Sequence, residues 1–133
     1  MSLEFINPEG LNIERAAGLS YGYAVRSGNL LFISGQVARD HDGNMVGIGD
    51  PEAQAVQVFE NLKHVLEAAG GTLKDVIVTR TYLVDRAHLP AIVAVRKRYL
   101  TGPNYPTSAA VIGTGLSSPE YLLEMEAVAH LER

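Results

Sequence analysis

The chain has 133 residues, 47% of them hydrophobic and 20% charged, a balance that excludes an intrinsically disordered protein. Residues 1–133 fit one domain, large enough to bury about two-thirds of its unfolded surface without metal or disulfide staples. Eleven basic against fifteen acidic side chains leave a net charge of -4, which argues against a broad nucleic-acid or anionic-membrane surface. The absence of cysteine removes disulfides, thiolate nucleophiles and zinc–thiolate sites.

No apolar run approaches the roughly 18 residues of a membrane span. The N-terminal stretch carries Glu4, Glu9 and Glu14 among its apolar residues and lacks a basic-then-apolar leader pattern. Met1-Ser2-Leu3 carry no weight in the reading. A cytoplasmic protein is expected.

The first β-rich runs are Gly22–Arg26 and Leu30–Gln36, separated by Ser27-Gly28-Asn29, a tight-hairpin signal. Asp42-Gly43 reads as another turn. The run around it, Asp40 to Asn44, has a glycine at the wrong offset for a calcium loop and no closing glutamate. The strongest helix signal follows. Asp50 caps, Pro51 takes the first helical position, and Glu52 suits the positive end of the dipole. Ala55, Val58/Phe59, Leu62, Val65/Leu66 and Ala69 then recur at the spacing of one buried face, and Gly70-Gly71 ends it.

Asp75–Val84 reads as a strand. Asp85 caps a second helix running to about Leu100, with Pro90 near its first turn and Leu89, Ile92/Val93 and Tyr99/Leu100 on one face. Arg96 falls in that stripe, either as an aliphatic stem covering apolar surface or as a charge aimed at a subunit boundary. Ser108–Thr114 and Tyr121–His130 complete the strands. The order β-β-α-β-α-β-β predicts an α+β architecture, with two helices packed on one face of a mixed sheet.

Local chemical motifs are few. His41, His64, His88 and His130 are scattered without metal-ligand spacing, so no metal is expected, and no cofactor. Gly113-Thr114-Gly115 is not a phosphate-binding loop, because no helix start follows at the required offset. Ser34 lacks the flanking glycines of a nucleophile elbow.

Four segments in order carry more. Gly28-Asn29-Leu30-Leu31-Phe32-Ile33-Ser34-Gly35-Gln36, the helix Gln57 to Gly70, Asp75-Val76-Ile77-Val78-Thr79 and Glu124-Met125-Glu126-Ala127-Val128-Ala129 resemble the RidA/YjgF family, also called endoribonuclease L-PSP. The resemblance spans about Tyr21 to Ala129. It implies a chorismate-mutase-like fold and a homotrimer with an inner barrel of sheets, helices outside and three small-molecule clefts at the subunit interfaces. In the family's deaminases a 2-imino or enamine acid is hydrolysed to a 2-keto acid and ammonia. An arginine grips the substrate carboxylate while a glutamate orients or activates water.

Carried over residue by residue, Glu124 matches the closing-strand glutamate, Tyr21 a cleft tyrosine, and Ser34 with Gly35 the segment lining the cleft. A carboxylate near an imine carbon takes a proton best if partial burial lifts its pKa. The arginine position reads Thr107, one neutral donor in place of a planar two-pronged cation. The cleft asparagine falls near Val93, which donates nothing. This resembles an arginine-less branch, in which ordinary 2-imino acid turnover is not assured. Arg80 is the candidate replacement cation; otherwise it faces solvent or pairs with Glu124 or Glu126 across the sheet. Glu126 is expected to be solvated or salt-bridged.

The leading expectation is a cleft that binds or hydrolyses a small imine, enamine or related carbonyl metabolite. The alternatives are a non-catalytic metabolite-binding or chaperone-like trimer and, on the family label alone, a ribonuclease.

Overall fold

The computed structural model describes residues 2–132, apart from the side chains of residues 13 and 14. Among them, β1 (Leu3–Ile6), β2 (Ala24–Ser27), β3 (Leu30–Gln36), β4 (Val76–Leu83), β5 (Thr107–Ile112) and β6 (Leu123–His130) form one sheet in the order β1-β2-β3-β6-β4-β5. The β4–β5 pair is parallel and the others are antiparallel, so the sheet is mixed. The helices are α1 (Ile13–Gly18), α2 (Pro51–Ala68) and α3 (Leu89–Tyr99).

The hairpin forms where its turn residues require it. Ser27 pairs with Leu30 across a two-residue loop, Gly28 has φ +60°, and Arg26 Nε donates to the Gly28 carbonyl at 2.9 Å. In α2, the Asp50 carboxylate accepts from Ala53 N at 3.1 Å with Pro51 at the first position. The expected stripe is buried at Ala55, Val58, Phe59, Leu62, Val65 and Leu66, while Ala69 at its end is only partly buried. The stripe meets Leu31, Ile33, Leu123, Met125, Ala127 and Ala129 of the sheet in one core. Phe59 stacks on Tyr99 of α3 with ring centroids 5.0 Å apart.

Asp85 caps as expected, accepting from Ala87 N at 2.8 Å, but the first turn, Arg86–His88, is a 3₁₀ turn before α3 begins. Arg96 has a partner that neither reading named. It is half-buried and its guanidinium donates to Thr79 Oγ1 on β4 at 2.9 Å, fastening α3 to the sheet, and burial lowers its pKa.

Two elements had no sequence signal. β1 adds a strand beside β2, and α1 is a six-residue helix capped by the Asn12 side chain, which accepts from Arg15 N at 3.0 Å. Four residues, or fewer than two helical turns, are too few for periodicity to show.

Along β6, burial alternates strictly: Leu123, Met125, Ala127 and Ala129 face the helices, while Glu124, Glu126 and Val128 lie on the opposite face. Neither α2 nor α3 covers that opposite face. A row of apolar side chains runs across it through register partners Phe5, Val25, Phe32, Val128 and Val78. Phe5 and Phe32 are 66% and 47% exposed, and all of β5 is exposed.

Candidate functional site

The sheet face away from the helices carries the chemistry at one end, where β3 departs from regular pairing. The β3–β6 register shifts between Ile33 and Gln36, so Ser34 and Gly35 bulge beside Glu124. Gly35 is there for space: a Cβ on it would lie 2.0 Å from Glu124 Oε2 and 2.8 Å from its carboxyl carbon. The Ser34 hydroxyl donates to the Gly22 carbonyl, tying the bulge to the segment before β2.

A cavity of about 310 Å³ opens at this point, walled by Arg15, Tyr21, Ser34, Gly35, Tyr121 and Glu124, with Leu19, Val37 and Ser117 at its edges. Four of the six residues expected from the sequence, Tyr21, Ser34, Gly35 and Glu124, therefore meet in one place. Burial pushes the Glu124 carboxyl above its ordinary value, and the negative charge of Glu126 raises it further. Arg15 pulls the other way by stabilising the carboxylate. The result is a half-buried carboxyl that is a better base than a solvated one and still has a cation nearby.

Buried amides of α2 hold the walls. Gln54 is fully buried; its side chain donates to the Gly47 and Glu120 carbonyls and accepts from Leu122 N at 2.9 Å, fixing the entry to β6. Asn61 donates to the carbonyls of Val37 and Arg39 at 3.0 and 2.9 Å, fixing the exit from β3. Both lie on the helix face that apolar periodicity marks as buried, and both spend their side-chain N–H groups on loop carbonyls.

Arg15 is the residue that sequence reasoning missed. α1 closes with Leu19 N and Tyr21 N both bonded to the Ala16 carbonyl at 3.0 Å, with Ser20 at φ +63°. This turn sets Tyr21 against Arg15, whose guanidinium donates to Tyr121 Oη at 2.8 Å and to Tyr21 Oη at 3.4 Å. Arg39 approaches Tyr121 Oη from the other side at 2.6 Å and lies over the ring, 5.2 Å from its centroid. No local motif announces this cluster, because it joins residues from positions 15 to 121.

The other two expected residues lie elsewhere in the protomer. Arg80 sits on β4 opposite Glu126 of β6, and its guanidinium is 3.8 Å from the Glu126 carboxylate, which also accepts from Tyr82 Oη at 2.7 Å. Arg80 and Glu126 border a neighbouring hollow of about 250 Å³ that shares Ser34 with the Glu124 cavity. The salt-bridged reading of Glu126 thus matches its geometry. Thr107 begins β5 at the sheet edge, where its hydroxyl donates to the Ile77 carbonyl at 3.2 Å and its own carbonyl accepts from Thr79 Oγ1. Val93, on α3, lines a separate apolar groove with Leu89 and Pro90. Among the described residues no group of histidine and carboxylate side chains is arranged to hold a metal ion, and no helix is long and apolar enough to cross a membrane.

A mixed sheet with helices on one face and a glutamate-bearing cavity on the other defines the class, a YjgF-like α+β fold. The chain matches the family described as endoribonuclease L-PSP over residues 13–131, and it belongs to that family, the RidA/YjgF proteins. It is 36% identical over 131 residues to the 3-aminoacrylate deaminase RutC of Acinetobacter baylyi, covering 98% of this chain and all of that one. A RutC family protein of Pyrococcus horikoshii is 38% identical over 112 residues, covering 84% of this chain and 87% of that one. The crystal structure of a putative endoribonuclease from Thermotoga maritima superposes with a TM-score of 0.88 at 30% identity, covering 100% of each chain.

Proposed function

We propose that the protein is a deaminase that hydrolyses the C=N bond of a small imine, or of an enamine through its imine tautomer, with Glu124 as the general base. The observation that carries this reading is the half-buried Glu124 carboxyl, raised in pKa and packed against Gly35 inside a cavity of about 310 Å³. In the reaction, Glu124 takes a proton from water as the water oxygen bonds to the imine carbon. Glu124 passes that proton to the nitrogen, the hydroxyl of the resulting carbinolamine gives its proton to the nitrogen as the C–N bond breaks, and ammonia leaves behind a carbonyl. Tyr21 and the Ser34–Gly35 bulge line the space in which the substrate sits.

The likeness to a 3-aminoacrylate deaminase supports this chemistry, since an aminoacrylate is an enamine acid. The single domain is proposed to act as a homotrimer whose sheets face one another. The support for this is the uncovered apolar row Phe5–Val25–Phe32–Val128–Val78 and the fully exposed β5 edge. In such an assembly Thr107 and Arg80 of one protomer would stand near a cleft shared with a neighbour.

One feature favours a second reading, a cleft that binds a metabolite without turning it over. The Thr107 hydroxyl is spent on the Ile77 carbonyl, so that position offers the substrate neither charge nor a free donor. The experiment that separates the two is ammonia release from imines generated in place by an amino-acid oxidase. Turnover by the wild type that is lost in Glu124→Gln is the expected result. Tight binding of a carbonyl ligand without turnover in either protein would establish the non-catalytic reading.

A further inference from the structure

We infer that Arg15, delivered by α1, binds the carboxylate of the substrate, so that the Glu124 cavity selects short carboxylic acids although position 107 carries no cation. The inference rests on the reading of Glu124 as the hydrolytic base for the identity of the reacting group, and on the cavity geometry for the acid.

Arg15 and Glu124 wall the same cavity, and the arginine is near enough for its charge to be felt at the glutamate. A guanidinium has five N–H donors. Those of Arg15 that are bonded among the described residues go to two neutral phenol oxygens, Tyr121 Oη at 2.8 Å and Tyr21 Oη at 3.4 Å. None of the ion pairs among the described residues involves Arg15. Arg39 has a different job. It is engaged by the Gly43 carbonyl at 2.7 Å and by Tyr121 Oη at 2.6 Å.

Two guanidiniums therefore converge on one buried phenol oxygen with no described carboxylate between them. Like charges held this close repel, and an anion arriving in the cavity relieves the repulsion. A planar guanidinium also matches a carboxylate with two parallel N–H donors, a stronger pairing than its separate bonds to two phenol oxygens.

The remaining candidates for the grip are already committed. Arg80 faces Glu126, and Arg96 is fastened to Thr79 on the helix side of the sheet. The cavity of about 310 Å³ holds several waters. It fits an acid of a few carbons together with the attacking water. With the acid end at Arg15 and the reacting carbon at Glu124, the cavity would take short imino or enamine acids and exclude neutral imines by affinity.

The test is calorimetric titration of the full-length protein with 2-oxobutanoate and with its neutral amide, in wild type, Arg15→Met, Arg15→Lys and Glu124→Gln. The acid is expected to bind wild type and Glu124→Gln. Its Kd should weaken about ten- to a hundred-fold in Arg15→Met, the size of a lost charge-assisted contact, and less in Arg15→Lys. The amide should bind wild type more weakly than the acid, and its Kd should change far less than the acid's between wild type and the Arg15 variants. Raising the ionic strength with wild type alone should weaken the acid and spare the amide, a readout independent of whether any variant folds.

Unchanged acid affinity in Arg15→Met, equal losses for acid and amide, or a wild type that does not prefer the acid would each overturn the inference. The two readings fail separately. A protein that binds the acid through Arg15 but releases no ammonia from imines refutes the deaminase and keeps the acid site. One that hydrolyses imino acids equally well as Arg15→Met does the reverse.

Discussion

The two faces of β6 differ in both burial and chemistry. On one side Leu123, Met125, Ala127 and Ala129 are at most 2% exposed and pack against α2. On the other, Glu124 and Glu126 stand two residues apart, one half-buried in a cavity and the other ion-paired to Arg80. Because side chains alternate along a strand, stability and chemistry occupy alternate residues of a single segment. Substitutions on one face should therefore leave the other readable.

The sharpest break is Glu124→Gln. Loss of a general base lowers turnover by about 10²–10⁴-fold, and imine hydrolysis kinetics should show it in kcat. The same variant should not lose stability. Burial holds the folded-state pKa of Glu124 above its unfolded value, so folding favours the protonated form. That contribution is present below the unfolded pKa and lost as pH rises through the folded one. Glu124→Gln should accordingly be more stable than wild type at neutral pH, with the gap closing in acid, as denaturant unfolding at both pH values would reveal.

Met125→Ala is the converse. Met125 is 1% exposed in the core, and truncation there costs about 2–5 kcal/mol through lost burial and the cavity left behind. Thermal unfolding should drop markedly, while the folded fraction keeps its kcat. Gly35→Ala follows. The new methyl group would meet the Glu124 side chain, which must swing away, so turnover should fall on the order of a hundred-fold by misplacement with little change in Tm.

A smaller effect refines the acid–base reading. Glu126 raises the Glu124 pKa, so Glu126→Gln should move the ascending limb of the kcat/KM profile to lower pH. Smallest of all is Arg80→Met. Its partner contact is 3.8 Å long and its side chain half exposed, so stability should change by about 0–1 kcal/mol, measured by chemical denaturation.

Much of this was legible from residues alone, and the reason is local. The Asp50–Pro51 start and the apolar stripe of α2, the Gly28–Asn29 turn and the alternation of β6 each lie within one element, where the period of the backbone is written in the order of side chains. Glu124, Ser34 and Gly35 sit in such segments, and Tyr21 just before the first of them, so the resemblance reached these four and they meet in one cavity. β1 and α1 are too short to show a period, and Arg15 stayed hidden with α1.

What the sequence by itself determined, then, is the α+β arrangement and the strand face that holds the glutamate. Only the tertiary structure decided which cation stands beside it. Arg15 comes from α1, Arg39 from beyond the β3 bulge and Tyr121 from the entry to β6, while Arg80 is turned to Glu126 and Arg96 to Thr79. A guanidinium's partner is set by packing among segments up to 106 residues apart. No periodicity in a chain records a contact of that range, because it exists only once the sheet and helices have closed on their core.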